Sequence, residues 1–117
     1  EDLNDKGYQV IIEYNINKEF FLKLDIIQIQ RVFNNLEGNL IKYALKSIPI
    51  IYSATLTDNF LRIKGKNHIL DRKHIDSHGV GMNNCQEIIR LHSGEMMTSI
   101  ENRIYQVIIS LPVYILD

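Results

Sequence analysis

The chain is short of the residues that most often announce a function. It has a single cysteine, Cys85, no tryptophan and two prolines. One thiol cannot form an internal disulfide, which points to a reducing compartment. No apolar run approaches the roughly 18 residues of a membrane-spanning helix. Neither sign of charge dominates: 13 basic against 14 acidic residues leave a net −1. That excludes a bulk electrostatic grip on nucleic acid or an anionic membrane, though not a local basic patch. There is no repeat, no low-complexity tract and no Pro/Gly/Ser-rich linker. The chain opens on Glu1-Asp-Leu-Asn, with neither an initiator Met nor a signal-peptide pattern. It is therefore expected to be one domain, residues 1–117, cut from a longer protein or left by processing. What is present, 45% hydrophobic and 23% charged residues, is the composition of an ordinary globular domain and excludes a disordered or fibrous one.

Hydrophobic periodicity outlines the elements. Tyr8–Tyr14, rich in β-branched and aromatic residues, reads as a strand, and Glu19–Leu22 as a second, short one. Asp25 sits where a helix cap belongs. From Ile26 to about Lys46 the period is helical, with Ile29, Val32, Phe33, Leu36 and Leu40 on one apolar stripe. That helix has to stop before Pro49. Ile50–Thr57 and Phe60–Lys64 form a hairpin around Thr57-Asp58-Asn59. Residues 65–81 are the least regular, and hold three of the 6 glycines and three of the 4 histidines. A second helix is expected from about Met82 to Leu91, with Met82, Cys85, Ile88, Ile89 and His92 inward and Ser93-Gly94 closing it. Strands at about Glu95–Ile100 and Arg103–Leu111 meet at a tight Glu101-Asn102 turn. The order β(β)αββαββ predicts an α+β fold, a two-layer α/β sandwich with a mixed or antiparallel sheet and helices packed on one face.

Three constellations carry chemistry. In the first, Asn35, Asn39, Lys42 and Lys46 fall on a helical stripe about 40–60° wide, beside the apolar one. Amide oxygens are hard neutral ligands suited to Mg²⁺, which keeps most of its waters and binds substrate phosphates as well. Lysine supplies a point charge for phosphate oxygens. A solvated polar flank accounts for the spacing equally well, although two Asn in mid-helix are unhelpful to the helix itself. In the second, Ser77-His-Gly79-Val-Gly81-Met82 stands directly before the second helix. Its glycines allow close backbone approach, and the helix N-terminus offers free N–H groups and positive potential to an anion. A plain loop fits that short pattern too. It is neither a Walker loop nor a dinucleotide fingerprint. The third is His68, His74 and His78, interleaved with Asp71 and Asp76. Their spacing lies in no clear helix and no cysteine joins them, which speaks against zinc. His92 reads as a packed or capping residue, and Cys85 as a small buried hydrophobe.

Taken in order, these pieces resemble the ATP-binding catalytic domain of bacterial sensor histidine kinases, of the Bergerat-fold ATPase superfamily. Asn35-Leu-Glu-Gly-Asn39-Leu-Ile-Lys42-Tyr43 is similar to that family's N-box. Ser77-His-Gly79-Val-Gly81-Met82, with the helix to Gly94, is similar to its second glycine box, and Ile104–Pro112 to its closing strand. The chain departs from the pattern at the first glycine box. Gly65-Lys-Asn67-His-Ile occupies that place, and Asn67 stands where an adenine-reading Asp belongs. Asn keeps a carbonyl oxygen for the adenine amine but loses the charge. The segment between Asn67 and Gly79 is only eleven residues, and there is no Phe-rich box. This short lid resembles the peptide- and quorum-sensing kinases of Gram-positive bacteria.

The resemblance implies ATP and Mg²⁺ as cofactors. Asn39 with Asn35 would hold the metal, Lys42 would contact phosphate, and Tyr43 would lie near ribose or base. Gly79, Val80, Gly81 and Met82 would wrap the phosphates, and Asn67 would meet the adenine. It further implies a cytoplasmic domain of a membrane-anchored homodimer, without direct membrane contact of its own. The γ-phosphoryl would pass to a histidine on an upstream dimerisation domain, and from there to a response regulator. Two rivals stand beside this reading: a degenerate interaction or regulatory module that binds no ATP, and an anti-sigma-type serine kinase of the same fold.

Overall fold

The computed structural model describes residues 7–16, 19–69 and 80–115. Strand β1 is Val10–Asn15 and β2 is Phe20–Phe21; helix α1 is Ile26–Tyr43; β3 is Ile50–Thr57 and β4 is Phe60–His68. Helix α2 is Val80–Leu91, followed by β5 at Glu95–Glu101, β6 at Ile104–Pro112 and β7 at Tyr114–Ile115. Five strands form one sheet in the order β1-β3-β4-β6-β5. β1 and β3 pair in parallel and the other neighbours antiparallel, so the sheet is mixed. A parallel pair needs a crossover, and α1 supplies it.

Along β6 burial alternates strictly, with Tyr105, Val107, Ile109 and Leu111 turned inward. Against them pack Ile29, Val32 and Leu36 of α1 and Cys85 and Ile89 of α2, so both helices cover the same face. The expected two-layer α+β sandwich is the observed one. A smaller cluster, Tyr8, Leu40 and Ile50, seals the far end of α1. Of the expected α1 stripe, Phe33 is the exception, 37% exposed, because it lies at the rim of the stripe and not at its centre.

The differences at element ends have local causes. Asp25 does cap α1, its side chain accepting from the Gln28 N–H. The helix ends at Tyr43, before Lys46, because Ala44 turns extended and bridges to Ile69, and the Leu45 N–H donates to the His68 carbonyl. Lys46 therefore leaves the polar stripe, and its ammonium stands 5.4 Å from the centre of the Tyr8 ring. The β3–β4 turn is Asp58-Asn59 with both residues at positive φ, the mirror-image turn that matches strand twist. The β5–β6 turn is Asn102-Arg103, also at positive φ, one residue later than expected. β7 was not anticipated; it pairs antiparallel with β2, and Lys23 lies over the Tyr114 ring. Among the described residues no helix is long and apolar enough to cross a membrane.

Candidate functional site

The seam between α1 and α2 holds four of the residues singled out above, Asp25, Asn35, Cys85 and His92. Its first contact joins the start of α1 to the end of α2: the Asp25 N–H donates to His92 Nε2 at 2.9 Å. His92 Nδ1 lies 2.8 Å from the Ile88 carbonyl, so the ring carries its proton on Nδ1 and accepts at Nε2. His92 is thus a clamp, as its place in the sequence suggests. Beyond it, Ser93 at φ 62 closes α2, with Ser93 N–H donating to the Arg90 carbonyl and Gly94 N–H to the Ile89 carbonyl. These are the two bonds of a Schellman ending. The left-handed residue is Ser93, not the glycine. Gly94 is needed for another reason: a Cβ there would run into the Ser110 carbonyl oxygen.

Midway along the seam, Asn35 Nδ2 donates to Cys85 Sγ at 3.4 Å, and the Cys85 thiol donates to the Val32 carbonyl at 3.9 Å. Burial pushes the Cys85 pKa up, offset in part by the Asn35 bond, so the sulfur keeps its proton. Since 92 meets 25 and 85 meets 32 and 35, the two helices run antiparallel. Asn35 and Lys42 are exposed, Asn39 is half-buried, and Tyr43 packs half-buried against the core. An open groove of about 540 Å³ lies between the helices, walled by Gln28, Arg31, Asn34 and Asn35 of α1 and by Asn84 and Glu87 of α2. Gln28, Arg31, Asn34 and Asn84 were not singled out from the sequence. The doubled amides Asn34-Asn35 and Asn83-Asn84 could have signalled two of them; Gln28 and Arg31 carry no such signal.

Asn67 lies on the inward face of β4, opposite Tyr105 of β6, and is 4% exposed. Its Nδ2 donates to the His68 carbonyl at 3.4 Å. With Leu36, Leu40, Ile50 and Tyr105 it walls a cavity of about 10 Å³. Tyr52 crowds that space, since its ring edge lies beside Gly65; a Cβ at Gly65 would stand 2.9 Å from Tyr52 Cε1. The Tyr105 hydroxyl is buried and finds no hydrogen-bond partner among the described residues. Burial raises the pKa of Tyr105 and of Tyr52 to about 12, helped by Cys85 in the first case and Glu37 in the second.

Of the predicted site residues whose side chains are described, Asn35 alone borders the groove and Asn67 alone the cavity; Asn39, Lys42 and Tyr43 border neither. Gly79 lies outside the described residues. So do the side chains of Val80 and Met82, although the backbone of Val80, Gly81 and Met82 opens α2. His74, His78, Asp71 and Asp76 also lie outside them. Among the described residues no three His, Cys, Asp or Glu side chains gather to hold a metal.

No protein-family model matches the chain, and no curated protein does either. Solved structures do match in shape. The mycobacterial sensor histidine kinase MprB superposes with a TM-score of 0.76 at 10% identity, over 97% of this chain and 87% of that one. The catalytic domain of the histidine kinase ThkA gives 0.74 at 18% identity, over 94% and 82%. The Acinetobacter baumannii histidine kinase AdeS gives 0.72 at 15% identity, over 94% of this chain, which spans only 56% of the AdeS chain. Full-length ShkA, solved in complex with AMPPNP, gives 0.73 at 12% identity. The chain has the fold of histidine kinase catalytic domains.

Proposed function

We propose that the chain is the ATP-binding catalytic domain of a sensor histidine kinase, passing the γ-phosphoryl of Mg-ATP to a histidine on a dimerisation domain outside this sequence. The observation that carries this reading is the antiparallel seam. Continued at 1.5 Å per residue, the register that sets Cys85 against Val32 and Asn35 brings the first turn of α2 alongside Leu36 to Asn39, with Lys42 one helical turn further on. Free N–H groups, the positive end of a helix dipole and one ammonium would then face an anion, with two amide oxygens beside them for its accompanying cation. AMPPNP in ShkA, which shares the fold, supports a nucleotide as that anion.

The donor set fits Mg²⁺. Asn35 has its Nδ2 on sulfur, which leaves Oδ1 as the outward end of an exposed amide. Neutral oxygens without a carboxylate cage suit a cation that arrives with phosphates and keeps its waters. When bound, Mg²⁺ would neutralise and orient the terminal phosphates. Asn39 and Asn35 would hold it by Oδ1, and Lys42 would balance charge on the transferring group. The backbone of Gly79–Met82 would cradle the phosphates, with Tyr43 and Asn67 on the base side. Such catalysis is positioning and charge neutralisation, with no protein nucleophile required. A homodimeric, membrane-anchored receptor and a response regulator belong to the same proposal.

One observation favours a second reading, a domain that has lost ATP and serves regulation. The cavity beside Asn67, about 10 Å³, admits one water molecule and not a purine. Equilibrium titration with ATP and Mg²⁺ decides between the two. Binding that weakens about tenfold in Asn39→Ala and in Asn67→Ala supports the kinase reading. A folded chain that binds no adenine nucleotide at millimolar concentration supports the regulatory one.

A further inference from the structure

The amide of Asn35 has two ends, and only its oxygen can hold a metal. Which end faces outward is decided by one contact from the other helix. The Cys85 sulfur has a single proton, and the Val32 carbonyl accepts it. That sulfur can therefore meet the Asn35 amide only as an acceptor, from Nδ2. If the amide turned over, Oδ1 would face a sulfur whose proton is already engaged, and a contact would become a repulsion. Cys85 is wholly buried, so water cannot stand in for it. A valine or leucine at the same helical position would fill the space and leave the amide free to rotate.

We propose that Cys85 is a positioning residue: by accepting from Asn35 Nδ2 while donating to the Val32 carbonyl, it holds Asn35 Oδ1 outward, on the flank of α1 shared with Asn39 and Lys42, as an oxygen ligand for a divalent cation. The proposal rests on the Mg-nucleotide reading above. It assigns the cysteine a role opposite to redox chemistry, since the thiol works only while it is reduced and unmodified. Groups that orient a metal ligand typically change metal affinity about 10- to 100-fold when removed.

The test uses three variants of the full chain. Cys85→Val and Cys85→Ala remove both bonds, one keeping bulk and one giving it up; Cys85→Ser keeps a donor and an acceptor. ATP affinity is measured at equilibrium with and without Mg²⁺, and folding is checked by thermal denaturation. Cys85→Val and Cys85→Ala should each lose about tenfold in the Mg²⁺-dependent affinity and nothing in the Mg²⁺-free affinity. Cys85→Ser should regain most of that loss. Adding Asn35→Ala to Cys85→Val should cost less than Asn35→Ala costs in the wild-type chain. Wild-type Mg²⁺ dependence in both apolar variants, or an undiminished effect of Asn35→Ala in their background, overturns the role of Cys85 and leaves the kinase reading intact. Should the wild-type chain bind no nucleotide, the kinase reading fails on its own. The contact is then judged in the ligand-free protein by the NMR signals of the Asn35 side-chain amide. Slow exchange with water that is lost in Cys85→Val upholds it, and signals that Cys85→Val leaves unchanged overturn it.

Discussion

The two ends of the α1–α2 seam treat polar groups differently. At the Asp25–His92 end each one is consumed. His92 accepts from one helix and donates to the other, and two crossed backbone bonds close α2. From Asn35 onward polar groups outnumber their partners. Asn35 and Lys42 are exposed, Asn39 is half-buried, and the Tyr105 hydroxyl is buried without a partner among the described residues. Bonded polarity of the first kind fixes where the helices sit. Polarity of the second kind adds little to stability, and it is the material from which a ligand site is made.

The strongest way to break the closed end is Gly94→Ala. The new Cβ has no room beside the Ser110 carbonyl, and that oxygen belongs to a central strand that cannot retreat cheaply. A loss of about 3 kcal/mol or more is expected in chemical denaturation. A loss below about 1 kcal/mol would mean that α2 and β6 slide freely at this end.

His92→Ala comes next. It removes an acceptor from the Asp25 N–H and a donor from the Ile88 carbonyl, and should cost about 1–2 kcal/mol. Its effect on Mg-ATP affinity should be small if the closed end only anchors the helices. Asn39→Ala should show the opposite profile: stability within about 0.5 kcal/mol of wild type, with nucleotide affinity reduced about tenfold. If His92→Ala abolishes nucleotide binding while the chain stays folded, the two ends of the seam are coupled and do not divide anchoring from binding.

Much of this was legible in the sequence, and the reasons are specific. Asp25 as cap and Ile29, Val32, Leu36 and Leu40 as the buried stripe follow from helical period, and the structure has them so. The alternation of β6 is plain in Ile104–Pro112. What escaped depended on distant parts of the chain. The end of α1 is set by a bridge from Ala44 to Ile69, and β7 exists only because β2 offers an edge. Phe33 follows the helical period but lies at the rim of the stripe, and Lys46 leaves the polar stripe because the helix has already ended at Tyr43. At the site, Asn35 could be named from its spacing to Asn39, but its bond to Cys85 joins residues 50 apart and no local pattern encodes it.

The gentlest probe acts on the unpaired hydroxyl. Tyr105→Phe deletes a buried oxygen that has no partner and leaves the ring in place. Removing an unsatisfied group should stabilise the domain by about 1 kcal/mol, a rise in Tm of about 4 °C for a chain of this size. The effect should grow in alkali. Burial holds the folded-state pKa of Tyr105 at about 12, above the usual 10.0 of an unfolded tyrosine. In that range the unfolded chain sheds its proton first and the folded one retains it, so stability is complete below pH 10 and falls as pH rises toward 12. Tyr52 titrates in the same direction. Wild type should therefore lose Tm between pH 10 and 12, Tyr105→Phe less so, and the double variant with Tyr52→Phe least. A destabilised Tyr105→Phe at neutral pH would show that the hydroxyl does find a partner, and that this part of the seam is as fully bonded as its closed end.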